Sequence, residues 1–82
     1  MIASAQISVY PLRQDRPGPA VERVRAALVA RGLTPQVGPM STIVVGEDTV
    51  IFAALAEAFA GAAGSGEVVM TVTVSNACPI PD

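Results

Sequence analysis

The fold is decided by residues 67–76, EVVMTVTVSN, which form the clearest strand in the chain. Side chains alternate along it, so that one face carries only apolar residues: Val68, Met70, Val72 and Val74. The opposite face carries Val69 followed by hydroxyl-bearing residues. Such alternation is typical of an antiparallel sheet that packs one face on a core.

Three further strands are predicted earlier in the chain. Residues 2–12 alternate between apolar and polar side chains, and Pro11 ends this strand because proline cannot donate to a sheet ladder. Residues 34–37 form a short, weak strand candidate. Residues 41–46 form a stronger one with apolar residues on both faces, which is typical of an interior strand.

Two helices are predicted between these strands. Pro19 favours a helix start, where its missing N–H would be unpaired anyway, and Gly32 follows the last turn. The buried stripe of this helix is expected at three positions: Val21, Val24 and Leu28. Asp48 or Thr49 is expected to cap the second helix, and Gly61 to end it. Its apolar stripe is expected at four positions: Phe52, Leu55, Ala56 and Phe59.

The order strand, helix, strand, strand, helix, strand predicts a single α+β domain over residues 1–82. We expect a ferredoxin-like βαββαβ sandwich, a four-stranded antiparallel sheet with two helices on one face. The first strand is then central, between the third and the fourth. A chain this short buries only about 60% of its unfolded surface, so further copies are a reasonable source of extra burial.

Composition and charge exclude several classes of function. Five basic residues against seven acidic ones give a net charge of −2, and a nucleic-acid binder needs a basic face. Without histidine there is no imidazole base or metal ligand. Without lysine there is no Schiff-base nucleophile and no Walker-type phosphate loop. Cys78 is the single thiol, so it cannot form an intramolecular disulfide, and packing is its expected role.

The acidic residues and the N-terminal segment indicate what to expect of catalysis and of the cellular compartment. The seven acids lie in loops, helix starts or solvated helix faces, so no catalytic constellation is visible and we expect a protein that is not an enzyme. No cofactor or metal is expected. The N-terminus lacks a basic region and a long apolar segment, so we expect a cytoplasmic protein with no membrane insertion.

The remaining groups that could bind a ligand are hydroxyl and amide side chains on the predicted strands. They indicate either a half-exposed sheet face or a small neutral site that binds a polar heterocycle by hydrogen bonds. The end of the first strand lies near the starts of the third and the fourth. Five residues therefore form the candidate site: Ser8, Tyr10, Ser41, Thr42 and Thr71. Ser75 and Asn76 fall at the opposite end of the sheet, where a subunit contact is expected.

Four segments resemble the YkoF-like thiamine-binding protein family: ISVYPL (7–12), GPMSTIV (38–44), GEDTVIF (46–52) and VMTVTVSNACP (69–79). The resemblance covers nearly the whole chain. It implies a ferredoxin-like fold, association of such units, and binding of thiamine or its hydroxymethylpyrimidine part. Some members carry two copies of the domain, so a second copy would here come from another subunit. The family's ligand-contacting threonine falls on Thr42.

The leading hypothesis is a cytoplasmic binding protein for thiamine or hydroxymethylpyrimidine, in salvage, transport or sensing. The alternatives are an oligomeric structural or regulatory module without a small-molecule ligand, and a sensor of another small metabolite. We expect a homo-oligomer, with a tetramer preferred over a dimer. The face with Val69, Thr71 and Thr73 is too apolar for water on so small a core, and the fourth strand is an unprotected edge.

Overall fold

The computed structural model describes residues 1–13, 18–64 and 66–77, which form one antiparallel sheet and two helices. The elements follow one another as β1 (Ile2–Pro11), α1 (Gly18–Ala30), β2 (Gln36–Val37), β3 (Thr42–Glu47), α2 (Asp48–Ala63) and β4 (Val68–Ser75). The strand order across the sheet is β2-β3-β1-β4. This confirms the predicted ferredoxin-like sandwich with β1 in the centre. Cys78 lies outside the described residues.

The predicted boundaries hold to within two residues except at the end of α2. The sequence predicts that a turn beginning at Gly61 ends the helix after Ala60, whereas the helix continues three residues further, to Ala63. A Cβ added at Gly61 would lie 4.0 Å from the Cβ of Arg23, so this glycine sits where α2 passes close to α1. The predicted cap is also wrong. Glu47 occupies the N-cap position without a side-chain hydrogen bond, and Asp48 lies in the first turn, near the positive end of the helix dipole.

The C-terminus of α1 confirms the expected glycine stop. Gly32 has a φ of +80°, in the left-handed region that glycine adopts without strain. The N–H of Leu33 donates to the carbonyl of Leu28 at 3.1 Å, and the N–H of Gly32 donates to that of Val29 at 2.9 Å. This is a Schellman motif, and it folds the side chain of Leu33 back into the core.

The core lies between the helices and one face of the sheet. Thirteen buried hydrophobic residues form it: Ala3, Ala5, Ile7, Ala20, Val24, Leu28, Leu33, Val44, Ile51, Ala54, Leu55, Ala58 and Ala62. Six of the thirteen are alanines. Small side chains let the helices lie close to the sheet, but they bury little apolar area each.

The apolar stripe of α2 is rotated from the predicted one. Leu55 is buried as expected, but Phe52 is 57% exposed, Phe59 is 47% exposed and Ala56 is exposed. The helix instead turns Ile51 and its small residues toward the sheet, because phenyl rings in this thin layer would hold helix and sheet apart. In α1, Val24 and Leu28 are buried as predicted. Val21 is only half-buried, and Ala20 takes the inner position.

Gly46→Ala is expected to lower the free energy of unfolding by about 1–3 kcal/mol through overpacking. An added Cβ would lie only 2.7 Å from Cδ2 of the buried Leu33. Denaturant unfolding measures the effect. Gly18→Ala is the matched control, since a Cβ there meets no described atom within 4 Å. Equal stability of the Gly46 variant and the parent would contradict this packing.

Candidate functional site

The two neighbours of β1 pair with it over different lengths. Pairing with β3 stops at Ile7 opposite Thr42, whereas pairing with β4 continues to Pro11 opposite Val68. Residues 8–11 of β1 therefore have a strand neighbour on one side only. The missing neighbour leaves a notch in the sheet beside the start of β3.

A cavity of about 350 Å³ occupies this notch and reaches the helix layer. Its lining comes from three parts of the chain: Ile7, Ser8, Val9 and Tyr10 of β1, Val21 and Val24 of α1, and residues 38–42. The volume lies near the low end of the range for small-molecule sites, roughly 300–1,000 Å³. The site thus has room for one small ring system.

Four of the five predicted site residues line the cavity: Ser8, Tyr10, Ser41 and Thr42. Thr71 is not among the lining residues. It lies opposite Ser8 in β4, with an exposed side chain. Ser75 lies opposite Ser4, toward the other end of β1, as expected. The contact of these residues with a ligand stays a prediction.

Ser8 and Thr42 reach the cavity from opposite faces of the sheet. Thr42 lies opposite Ile7 and shares its helix-covered face, while Ser8 is the next residue of β1 and points to the other face. The alternation in the sequence establishes relative faces only, so this separation could not be predicted. The notch brings the two hydroxyls to one cavity, because no strand closes the sheet between them.

Thr42 is a buried residue whose hydroxyl opens into the cavity. Its side chain is only 4% exposed, and its hydroxyl makes no hydrogen bond within the described part of the chain. Among the described residues, no buried side-chain oxygen or nitrogen lacks a partner, so this unbonded hydroxyl is accessible from the cavity. A bound ligand can therefore use this hydroxyl, as donor or acceptor, without breaking an existing bond.

The two serines hold the loop of residues 38–41 against β1. The hydroxyl of Ser8 donates to the carbonyl of Met40 at 3.1 Å. Nε2 of Gln6 donates to Oγ of Ser41 at 3.4 Å, and the N–H of Gly38 donates to the carbonyl of Ser41 at 2.8 Å. The loop thereby becomes a positioned wall of the cavity.

Met40 and Tyr10 flank the cavity with exposed side chains. Met40 is 82% exposed, the highest value among the large hydrophobic residues described, and Tyr10 is 52% exposed. An aromatic ring and a flexible thioether both pack well on a flat aromatic ligand. Sequence analysis missed Met40, because the Gly38-Pro39 break indicates a loop but not which way the loop folds.

The described lining of the cavity is uncharged. The nearby ion pair of α1 lies on the outer surface, where the guanidinium of Arg25 bonds to Glu22 and holds the pKa of that carboxyl below its ordinary value.

Among the described residues, no group of three or more His, Cys, Asp or Glu could hold a metal ion. In the same part of the chain, neither helix has the length and apolarity needed to cross a membrane.

Comparison with known proteins assigns the chain to a family. The model of the family described as "Thiamine-binding protein" matches residues 5–77. The chain belongs to the thiamine-binding protein family. The matched range includes every described residue that lines the cavity. No curated protein matches the chain significantly.

Solved structures share the fold of this thiamine-binding family protein. A protein of Streptococcus pneumoniae is 28% identical, with a TM-score of 0.83, and the match covers 92% of this chain and 86% of that one. A protein of Methanocaldococcus jannaschii is 18% identical, with a TM-score of 0.85 and coverages of 98% and 84%. A Thermotoga maritima protein ascribed to thiamine biosynthesis or salvage is 22% identical, with a TM-score of 0.79 and coverages of 90% and 82%.

Ser8→Ala is expected to lower the free energy of unfolding by about 0.5–1.5 kcal/mol, because it removes the hydrogen bond that holds the loop to β1. Denaturant unfolding measures this loss. Ser4→Ala is the control, since Ser4 lies on the same strand face and its hydroxyl makes no hydrogen bond within the described residues. Equal losses in the two variants would show that the Ser8 bond does not hold the loop.

Proposed function

We propose that this protein binds thiamine or its hydroxymethylpyrimidine moiety in the notch beside β1. It would act by binding, not by catalysis, in cytoplasmic salvage, transport or sensing. The observation that carries the proposal is the hydroxyl of Thr42, which opens into a small cavity and has no hydrogen-bond partner among the described residues. Membership of the thiamine-binding protein family supports this class of ligand.

The chemistry of an aminopyrimidine suits the lining. The ring offers nitrogen acceptors and an amino donor, and the hydroxyl of Thr42 can serve either. The hydrogen of Ser8 is committed to the Met40 carbonyl, so its oxygen remains free only as an acceptor. The apolar side chains of Ile7, Val21 and Val24 suit the carbon edge of a ring.

The thiazolium of thiamine is compatible with the same site. Its positive charge can lie against the ring face of Tyr10 at the exposed side of the cavity. The Thermotoga maritima protein of the same fold is ascribed to thiamine biosynthesis or salvage, which agrees with this ligand class.

Thr42→Val is expected to weaken binding of hydroxymethylpyrimidine at least about fivefold, since a lost hydrogen bond to a buried group costs roughly 1–3 kcal/mol. Valine keeps the shape, so folding and assembly are retained. Isothermal titration calorimetry measures the affinity. Fluorescence of Tyr10 is a second readout, because the chain has one tyrosine and no tryptophan.

Thr34→Val is the matched control for this titration, because Thr34 is exposed and does not line the cavity. It should bind like the parent. If Thr42→Val also binds like the parent while Ser75→Ala abolishes binding, the pocket lies at the opposite end of the sheet. Titration with a set of amino acids tests the alternative of another metabolite.

A homo-oligomer, with a tetramer preferred, is the second part of the proposal. The sheet face away from the helices carries exposed apolar side chains, including Ile2, Ile43 and Val69. β4 is a sheet edge of eight residues. An apolar sheet face and an open edge both favour association. The same features would serve the alternative, an assembly module without a ligand.

Ile43→Lys is expected to shift the protein to smaller species, because it places a charge on the open sheet face. Sedimentation velocity at micromolar concentration measures the shift. Val29→Lys is the control, since Val29 is similarly exposed but lies on α1. A parent protein that is a stable monomer would contradict the proposed assembly.

A further inference from the structure

The N–H and C=O groups of β1 alternate, residue by residue, between the two edges of the strand. Within a strand the N–H and C=O of one residue point to the same side, and successive residues point to opposite sides. The carbonyl of Met1 accepts from the N–H of Asp48 at 2.9 Å, on the side of β3. The N–H of Leu12 donates to the carbonyl of Glu67 at 2.8 Å, on the side of β4. Odd-numbered residues of β1 therefore face β3.

Val9 is the odd-numbered residue that meets the notch. The pairing register continues without interruption from Ile2 to Ile7, and its extension would place Val9 opposite Met40. No backbone hydrogen bond joins these two residues, and the Met40 carbonyl is instead bonded to the Ser8 side chain. Within the described part of the chain, the N–H and the C=O of Val9 have no partner, and Val9 lines the cavity.

Pro11 agrees with this direction. It is the next odd-numbered residue of β1, so its nitrogen faces the side on which β3 is missing. Proline is tolerated in a strand where no ladder donor is needed. Pro11, which has no N–H to donate, therefore lies at a position where no neighbouring strand offers an acceptor.

We propose that the main chain of Val9 recognises its ligand through an amidine edge. The N–H of Val9 donates to a ring nitrogen, and its C=O accepts from the adjacent exocyclic amino group. The ring then lies in the plane of the sheet and takes the place of a residue of the absent strand. This inference rests on the proposed function and specifies the ligand class: a planar heterocycle with an amino group beside an unprotonated ring nitrogen.

The orientation of such a ring follows from a third polar group. The hydroxyl of Thr42, the residue where β3 begins, approaches from the helix-covered side. A 4-oxo ring reverses the order of donor and acceptor along the edge. To accept from the Val9 N–H and donate to the Val9 C=O, such a ring would have to turn over. Its substituents would then lie in different positions relative to the Thr42 hydroxyl.

Amide hydrogen exchange followed by NMR tests the geometry directly. In the free protein, the Val9 amide should exchange at least about tenfold faster than those of Ile7 and Tyr10, whose N–H groups face β3 and β4. Saturation with 4-amino-5-hydroxymethyl-2-methylpyrimidine should slow the Val9 amide at least about tenfold. The Tyr10 amide is the internal control and should change little.

Calorimetric titration with the 4-oxo analogue is the second arm, with binding expected to be at least about tenfold weaker than that of the 4-amino compound. Protection of Val9 in the free protein would overturn the inference. So would binding of the 4-amino compound without slower Val9 exchange, or equal binding of both rings, and either result leaves the proposed function standing. If neither hydroxymethylpyrimidine nor thiamine binds, both proposals fall together.

Discussion

The staggered pairing of β1 with its two neighbours is the constraint on which the rest of the structure depends. β1 is the only strand of the described sheet that contacts both β3 and β4. Its odd-numbered side chains therefore form the central part of the sheet face that packs in the core. β4 follows it to Pro11, while β3 follows it only to Ile7. The difference of four residues opens the cavity. One strand thus organises the hydrophobic core at one end and the candidate site at the other.

The thin core sets the second constraint. Alanines on α2 and on β1 bring helix and sheet close together, and a Cβ at Gly46 would require the side chain of Leu33 to shift. Interiors packed at this density accept little added volume. The two phenylalanines of α2 are accordingly directed outward, although they are its largest apolar side chains.

Local patterns were sufficient to predict the architecture. Alternation identified β1 and β4, Gly32 marked the end of α1, and apolar residues on both faces placed β3 inside the sheet. The rotation of α2 could not be predicted, because Phe52 and Ile51 both belong to plausible helical stripes. Only the distance between layers decides between them.

Predicting the candidate site required more than alternation. Topology predicted that Ser8, Tyr10, Ser41, Thr42 and Thr71 lie in one region, and all of them except Thr71 line the cavity. The opposite faces of Ser8 and Thr42 depend on which side the helices cover. The direction of the Val9 peptide follows from hydrogen bonds at the two ends of β1, and Pro11 can be read as agreeing with it only once those bonds are known.

A polar edge made of main chain has an evolutionary consequence. Substitution at position 9 changes the side chain that packs toward the helices, but leaves the peptide N–H and C=O in the notch unchanged. These two main-chain groups stay unpaired as long as β1 extends beyond the start of β3. Relatives can therefore drift far apart in sequence and still present the same two polar groups, since strand length, not residue identity, maintains them.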